Sequence, residues 1–264
     1  MSKRDINGKT ALVTGASSGL GADFARNLAQ RGSNLILVAR REDLLQNLKE
    51  ELSRQYGVQV EIIAQDLTGD DAPQILFDKI KSTGKSVDIL INNAGYAVFG
   101  EFVKIPWERE RNMLELDILT VVHMTKLFAQ DMLTRNYGYI LNVASIGAYQ
   151  PSPTYATYSA AKSFVRDFSE AISYELRKSS VKICAISPGY TETEFLQVSG
   201  QKASLYQRIM KMKSPDVTRI GINSMLKGRP NVVPGAMNAF LAWSTRLMPR
   251  RMAAASAYRT MIMN

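Results

Sequence analysis

The chain of 264 residues is long enough for one large α/β domain with a hydrophobic core. Its apolar fraction of 45% and charged fraction of 22% are ordinary for a globular protein and exclude a disordered or fibrous chain. With one histidine, His123, and one cysteine, Cys184, it lacks the ligands of a zinc-dependent dehydrogenase, so we predict no metal.

The sequence shows neither a secretion signal nor a membrane span. The first residues carry no apolar segment typical of a secretion signal, and no apolar run reaches the roughly 20 residues that a membrane span needs. We therefore expect a cytoplasmic protein.

The net charge of +9 arises in residues 201–264, which hold eleven Lys or Arg residues and one acid, Asp216. Because the remainder is near neutral, we expect no nucleic-acid partner.

Apolar runs of strand length alternate with amphipathic stretches of helix length along the chain. Strands are predicted at 10–14, 34–39, 58–64, 87–92, 139–143, 181–187 and 230–235, and helices at about 19–31, 42–55, 70–82, 106–134 and 155–178. Continuous rather than alternating apolar runs indicate strands that are buried on both faces. The repeated βαβ units predict a single doubly wound α/β domain, with a parallel sheet of about seven strands and helices on both faces.

A glycine-rich loop follows the first predicted strand and precedes the first predicted helix. Such a loop lets the backbone approach a pyrophosphate, and the helix that follows presents free N–H groups and the positive end of its dipole. An ordinary glycine-rich turn is the alternative, but the strand–loop–helix context favours a dinucleotide. The candidate residues are Gly15, Ser17, Ser18, Gly19, Leu20 and Gly21.

The second predicted strand ends at Ala39 and is followed by Arg40 and Arg41. Folds that bind NAD usually place an Asp or Glu here to hold the ribose hydroxyls. A guanidinium instead fits a 2′-phosphate, and Ser17 can add a hydroxyl donor. We therefore predict that Arg40 selects NADP(H), although a solvated arginine pair at a helix start is the alternative.

Further candidate cofactor residues follow the third and fourth predicted strands. Asp66 and Leu67 are expected near the adenine. The segment Asn92-Asn-Ala-Gly95 supplies small residues and amides at the carboxyl edge of the sheet, where cofactors bind, through Asn93, Ala94 and Gly95.

The candidate reacting groups are Ser145, Tyr158 and Lys162. The spacing of Tyr158 and Lys162 puts both side chains on one helix face. A neighbouring ammonium favours phenolate, so we predict that Lys162 lowers the pKa of Tyr158 and makes proton transfer feasible. Ser145 can hydrogen-bond the substrate oxygen. A tyrosine–lysine pair at this spacing is common, and alone it is usually structural.

Together these motifs resemble those of the short-chain dehydrogenase/reductase family across about residues 8–193. The resemblance implies a Rossmann-type sheet with strand order 3-2-1-4-5-6-7, in a single family domain over residues 1–264. It also implies that Tyr158 donates or accepts the proton, that Lys162 holds the nicotinamide ribose, and that Ser145 positions the carbonyl. Arg40 matches the family's NADP-preferring members.

The segment Pro188-Gly-Tyr-Thr-Glu-Thr193 is similar to a family segment beside the nicotinamide, which implies that Pro188, Gly189 and Thr193 line that site. Family members commonly pair through two long helices, here about 106–134 and 155–178, so we expect a homo-oligomer.

One residue departs from the family pattern. The resemblance aligns Asp117 with a position that usually holds an Asn, which serves a water-mediated proton relay to the lysine. An Asp keeps an acceptor oxygen, loses the NH₂ donor and adds negative charge near Lys162. We retain Asp117 as a candidate catalytic residue with an altered relay.

A substrate loop is expected at about 194–214, between Thr193 and Ser214. Its apolar residues, with three aromatic residues elsewhere, favour an apolar carbonyl or alcohol substrate, although all of them also suit a core. They are Phe195, Leu196, Leu205, Tyr206, Ile209, Met210 and Met212, with Phe99, Tyr149 and Tyr155 outside the loop.

The basic, Met-rich segment 236–264 carries a helical stripe of Ala236, Phe240, Trp243 and Leu247, and Pro249 is predicted to break the helix. The stripe and the arginines beyond it suit peripheral contact with a membrane. Packing on the protein's own domain, or across a dimer, is the alternative.

These features predict an NADP(H)-dependent oxidoreductase acting on a small-molecule carbonyl or alcohol. A protein that senses the dinucleotide or binds partners, with little turnover, is the alternative because fold alone does not fix function.

Overall fold

Seven parallel strands form one sheet in the computed structural model, which describes residues 5–191, 199 and 210–262. The strand order is β3-β2-β1-β4-β5-β6-β7, which confirms the order that the family resemblance implies. The strands are β1 (Thr10–Thr14), β2 (Asn34–Ala39), β3 (Val60–Ala64), β4 (Ile89–Asn92), β5 (Gly138–Val143), β6 (Val181–Ile186) and β7 (Asn231–Val232).

Helices cover both faces of this sheet. The helices of the described residues are α1 (Gly19–Ala29), α2 (Glu42–Tyr56), α3 (Ala72–Ser82), α4 (Trp107–Leu114), α5 (Val121–Thr134), α6 (Ala156–Glu175), α7 (Ser214–Leu226), α8 (Ala236–Ser244) and α9 (Arg250–Ile262). No helix among them is both long enough and apolar enough to span a bilayer.

The core lies on both sides of the sheet, as continuous apolar strands require. Leu12 of β1 packs into one apolar cluster, and its neighbour Val13 packs into the cluster on the opposite face. Cys184 of β6 is fully buried in the second of these clusters, and burial raises the pKa of its thiol to about 12. Cys184 is therefore a structural core residue and not a reactive thiol.

The predicted helix over 106–134 is present without a break, but it is not α-helical throughout. A π-helical segment, Glu115–Thr120, separates α4 from α5. Such a segment inserts extra backbone into a helix, which apolar periodicity does not reveal, and it often marks a functional site. Asp117 lies in this segment.

The structure agrees with the prediction that Pro249 breaks the C-terminal helix. Helix α8 continues into a 3-10 turn, Thr245–Leu247, and α9 begins directly after Pro249. Proline cannot continue a helix that precedes it but fits the start of the next one, so it separates the two.

Candidate active site

A cavity of about 790 Å³ opens at the carboxyl edge of the sheet. The carboxyl ends of parallel strands are the usual place for ligands in such folds. Most of the predicted site residues line it: Gly15, Ser17, Ser18, Gly19, Leu20, Arg40, Asp66, Leu67, Asn93, Ala94, Gly95, Ser145, Tyr158, Lys162, Pro188 and Gly189. Thr193 lies outside the described residues.

The turn between β1 and α1 requires its glycines. Gly15 and Gly19 have φ values of +64° and +53°, which favour glycine. Gly21 does not line the cavity; a Cβ there would lie 2.1 Å from the carbonyl oxygen of Gly15. Asn93 stabilises the turn, because its Nδ2 donates to the carbonyl oxygens of Thr14 at 2.9 Å and Gly15 at 3.3 Å.

Two adjacent arginines after β2 have different partners. Arg41 donates to the hydroxyl of Ser17 at 3.2 Å and to that of Ser18 at 2.8 Å. Arg40 lies 3.5 Å from a carboxylate oxygen of Asp66, and both of these side chains are largely exposed. The guanidinium beside the glycine turn is therefore that of Arg41, whereas Arg40, the residue predicted from the sequence, also lines the cavity.

Tyr158 and Lys162 lie on α6, with Lys162 Nζ 5.7 Å from the centre of the Tyr158 ring. The Tyr158 hydroxyl is hydrogen-bonded to Ser145, which follows β5. Ser145 Oγ in turn accepts from the backbone N–H of Gly147 at 3.1 Å, which fixes its orientation. The four-residue spacing therefore places Tyr158 and Lys162 on one face of α6, and the end of β5 brings Ser145 to the Tyr158 hydroxyl.

Asp117 lies against Lys162 on the buried side of this group. Its Oδ2 is 3.1 Å from Lys162 Nζ, and its Oδ1 accepts from the backbone N–H of Tyr96 at 3.2 Å. Lys162 Nζ also donates to the carbonyl oxygen of Val143 at 3.1 Å. Asp117 is 0% exposed and Lys162 4% exposed, so this is a desolvated ion pair.

The electrostatics differ from the prediction made for Tyr158. Burial, followed by the negative charge of Asp117, raises the pKa of the Tyr158 phenol above its ordinary value near 10, although the bond to Ser145 opposes this. The pKa of Tyr158 is therefore raised rather than lowered as predicted, chiefly because the phenol is buried and secondly because Asp117 lies beside Lys162. Burial also raises the pKa of Asp117 itself, against the attraction of Lys162.

Only some of the remaining substrate candidates line the cavity. Tyr149 and Tyr155 line the cavity, whereas Phe99 packs against Tyr155 with ring centres 5.2 Å apart and is not in the lining. Met212 packs on the core and donates its backbone N–H to Tyr190, so the alternative of a core residue holds there. Phe195, Leu196, Leu205, Tyr206 and Ile209 lie outside the described residues.

The C-terminal helices contribute lining residues that the sequence analysis missed. The residues of α8 and α9 that line the cavity are Leu241, Ala242, Ser244, Ser256, Ala257, Thr260 and Met261. Ala253 and Ala257, four residues apart and both 2% exposed, are the sequence signal for a buried face on α9. These two helices therefore form one wall of the cavity.

Comparison with known proteins agrees with this geometry. A family model described as short chain dehydrogenase matches residues 9–204. The chain is 31% identical over 229 residues to a very-long-chain 3-oxoacyl-CoA reductase of Bos taurus, covering 84% of this chain and 72% of that protein. It is 36% identical over 185 residues to a 17-beta-hydroxysteroid dehydrogenase type 3 of Mus musculus, covering 69% of this chain and 59% of that protein.

Solved structures show the same fold. A short-chain dehydrogenase from Sphingobium yanoikuyae in complex with NADPH superposes with a TM-score of 0.80 at 28% identity, covering 91% of this chain and 94% of that one. A short-chain dehydrogenase/reductase from Burkholderia phymatum in complex with NAD has a TM-score of 0.81 at 23% identity, covering 92% and 96%. The chain therefore belongs to the short-chain dehydrogenase/reductase family of oxidoreductases.

Proposed function

We propose that the protein is an NADP(H)-dependent oxidoreductase that interconverts a carbonyl and an alcohol on an apolar substrate, with Tyr158 as the acid or base. The observation that carries the proposal is that one cavity contains both the glycine turn and the group Ser145, Tyr158 and Lys162.

The cofactor end of the cavity fits a dinucleotide that carries a 2′-phosphate. The glycine turn leaves the backbone accessible, and Ser17 and Ser18 present hydroxyls beside Arg41. The residue directly after β2 is Arg40 rather than a carboxylate that would hold an unphosphorylated ribose, and Asp66 is engaged by Arg40. A bound NADP(H) would supply or accept the hydride at its nicotinamide.

The roles proposed for the reacting side chains follow from their contacts. Ser145 and Tyr158 are hydrogen-bonded to one another, so a substrate oxygen between them would meet two hydroxyl groups. The raised pKa of Tyr158 keeps the side chain a phenol, which is the protonated form that would donate to a carbonyl oxygen in reduction. Lys162, held by Asp117 and Val143, would bind the nicotinamide ribose.

An apolar ketone is the proposed substrate class. The two curated relatives are named for very-long-chain acyl and steroid substrates, both of them apolar molecules. In this chain the cavity is lined by Leu241, Met248 and Met261 beside the tyrosines, which gives its reacting end an apolar wall.

The test is the oxidation of NADPH, followed by absorbance, with a panel of long-chain 3-oxoacyl thioesters, ketosteroids and small polar ketones. We expect turnover with apolar ketones, little with polar ones, and none in Tyr158→Phe. Turnover that survives in Tyr158→Phe would place the chemistry elsewhere.

A dinucleotide-binding protein with little turnover is the second candidate, and the neutralising contact between Asp117 and Lys162 favours it. Tight NADPH binding by calorimetry, without turnover of any ketone in the panel, would select this function.

A homo-oligomer remains our prediction. Helices α4 to α6 and the π-helical segment expose several large apolar side chains, including Trp107, Leu119 and Phe164, which supports pairing through this region. Light scattering at micromolar concentration should give at least twice the mass of the chain. A monomer would contradict the prediction.

A further inference from the structure

Helix α8 has two different faces. On its inner face Asn238 and Ala242 are buried. Its outer face, continued by the following 3-10 turn, carries four large apolar side chains that are 52% to 73% exposed: Met237, Phe240, Trp243 and Leu247. Their spacing of three or four residues places them along one stripe. The stripe predicted from the sequence therefore does not pack on the protein's own core.

Helix α9 repeats this arrangement. Ala253 and Ala257 face inward, whereas Met252 is 59% exposed on the outside beside the exposed residues Arg250 and Arg251. The outer faces of both helices thus join apolar side chains to cations. We call this combined surface the C-terminal face, defined by Met237, Phe240, Trp243, Arg246, Leu247, Arg250, Arg251 and Met252.

The charge of this region indicates what covers the C-terminal face. Residues 217–264 contain seven Lys or Arg residues and no acid. A symmetric dimer through this face would bring two acid-free, cationic surfaces together, which like charges oppose. An anionic lipid surface complements the arginines, and a Trp beside aliphatic side chains suits the region between headgroups and acyl chains.

We infer that the C-terminal face docks on an anionic membrane surface and that α8 and α9 lie in the plane of that surface. The same two helices form a wall of the active-site cavity, and Met248 both lines the cavity and is 36% exposed. Docking would therefore place the mouth of the cavity at the lipid surface, where an apolar ketone partitions. This second step, delivery of substrate from the bilayer, rests on the proposed function; the docking itself does not.

The two tryptophans provide a direct test because only one of them lies on the C-terminal face. Trp107→Phe leaves Trp243 as the sole emitter, and Trp243→Phe leaves Trp107 on α4. Each full-length variant is mixed with vesicles of phosphatidylglycerol and brominated phosphatidylcholine. We expect the emission of Trp243 to shift to shorter wavelength and to be quenched by the brominated lipid, while the emission of Trp107 is unchanged. Equal quenching of both, or of neither, would overturn the docking.

Charge variants test the contribution of the arginines. Arg250→Gln with Arg251→Gln should lower vesicle affinity by about 30-fold at low salt, since each cation near an anionic surface contributes about fivefold. Lys227→Gln with Arg229→Gln is the matched control, because it removes two exposed charges from the amino edge of the sheet. If both double variants lost vesicle affinity equally, net charge alone would explain binding, and the assignment of the C-terminal face would be overturned.

Turnover separates the two proposals. With a water-soluble ketone, the Arg250/Arg251 variant should match the wild type, whereas with a ketone dissolved in vesicles its rate should fall in proportion to binding. Vesicle binding without any turnover would leave the docking intact and refute the proposed function. Absence of vesicle binding at low salt, with Phe240→Ser dissociating a dimer, would show that a second copy covers the face.

Discussion

Replacing Asp117 with Asn should lower the pKa of Tyr158, because the substitution removes a negative charge from beside the reacting group. Asp117 Oδ2 lies 3.1 Å from Lys162 Nζ, which is 5.7 Å from the centre of the Tyr158 ring. The carboxylate is thus within about 9 Å of the ring, where a unit charge contributes about 2 kcal/mol at an effective dielectric constant of about 20. This energy corresponds to lowering the pKa of Tyr158 by about one unit or slightly more.

The pH dependence of kcat/KM in both directions measures this shift. Alcohol oxidation needs the phenolate, so its rising limb should move by about one unit to lower pH in Asp117→Asn, with activity below that limb about tenfold higher. Carbonyl reduction needs the phenol, so its falling alkaline limb should move to lower pH by the same amount. The matched control is Asp78→Asn, an exposed carboxylate on α3, which should leave both limbs in place.

Two outcomes would refute this reasoning. Limbs that do not move would show that Asp117 carries no charge when the enzyme works. A loss of more than about tenfold at every pH, about 1.4 kcal/mol of barrier, would show that the carboxylate itself is required. A modest loss of stability is expected in either case, because an amide can still accept from the Tyr96 N–H but no longer pairs with the buried charge of Lys162; such an unpaired buried group costs about 1–3 kcal/mol.

Three further predictions concern the remaining parts of the site. Tyr158→Phe should abolish turnover and leave NADPH affinity nearly unchanged in a fluorescence titration, because it removes the hydroxyl and keeps the ring; a large loss of affinity would contradict this. Arg41→Ala should weaken NADPH binding by about 10- to 100-fold and spare NADH, with a smaller effect for Arg40→Ala, since a bond to a charged group is worth about 1.5–3 kcal/mol. Tighter binding of NADH than NADPH by the wild type would refute the assignment. Gly95→Ala should lower both Tm and kcat, because its Cβ would lie 2.4 Å from Asp117 Oδ1; an unchanged melting curve would show that the ion pair can move aside.

The sheet and the reacting group were accessible from the sequence for definite physical reasons. Buried parallel strands are continuous apolar runs, so β1, β2 and β5 were predicted to within one residue. The four-residue spacing of Tyr158 and Lys162 fixes their common helix face wherever the helix lies. The position of Ser145 relative to them depends on the sheet and came from the family resemblance.

Three features were not accessible because they depend on local backbone geometry or on distant contacts. The π-helical segment adds extra backbone to a long helical pattern, which leaves the periodicity on each side intact. Arg40 and Arg41 are adjacent, and only the backbone at the start of α2 determines which guanidinium turns toward the glycine loop. The raised pKa of Tyr158 depends on burial, which residue spacing does not show.

Around Lys162, the π-helical segment, Asp117, Gly95 and Tyr96 form one structural unit. The π-helical segment carries Asp117, the missing Cβ of Gly95 leaves room for its Oδ1, and the N–H of Tyr96 satisfies that oxygen. Lys162 is 4% exposed, and an unpaired ammonium at such a depth would lose several kcal/mol of hydration. Asp117 therefore orients the buried lysine and offsets its positive charge near Tyr158. The negative charge of Asp117 also contributes to the raised pKa of Tyr158, so the residue that neutralises Lys162 is also the one whose replacement should shift the pH dependence of the reaction.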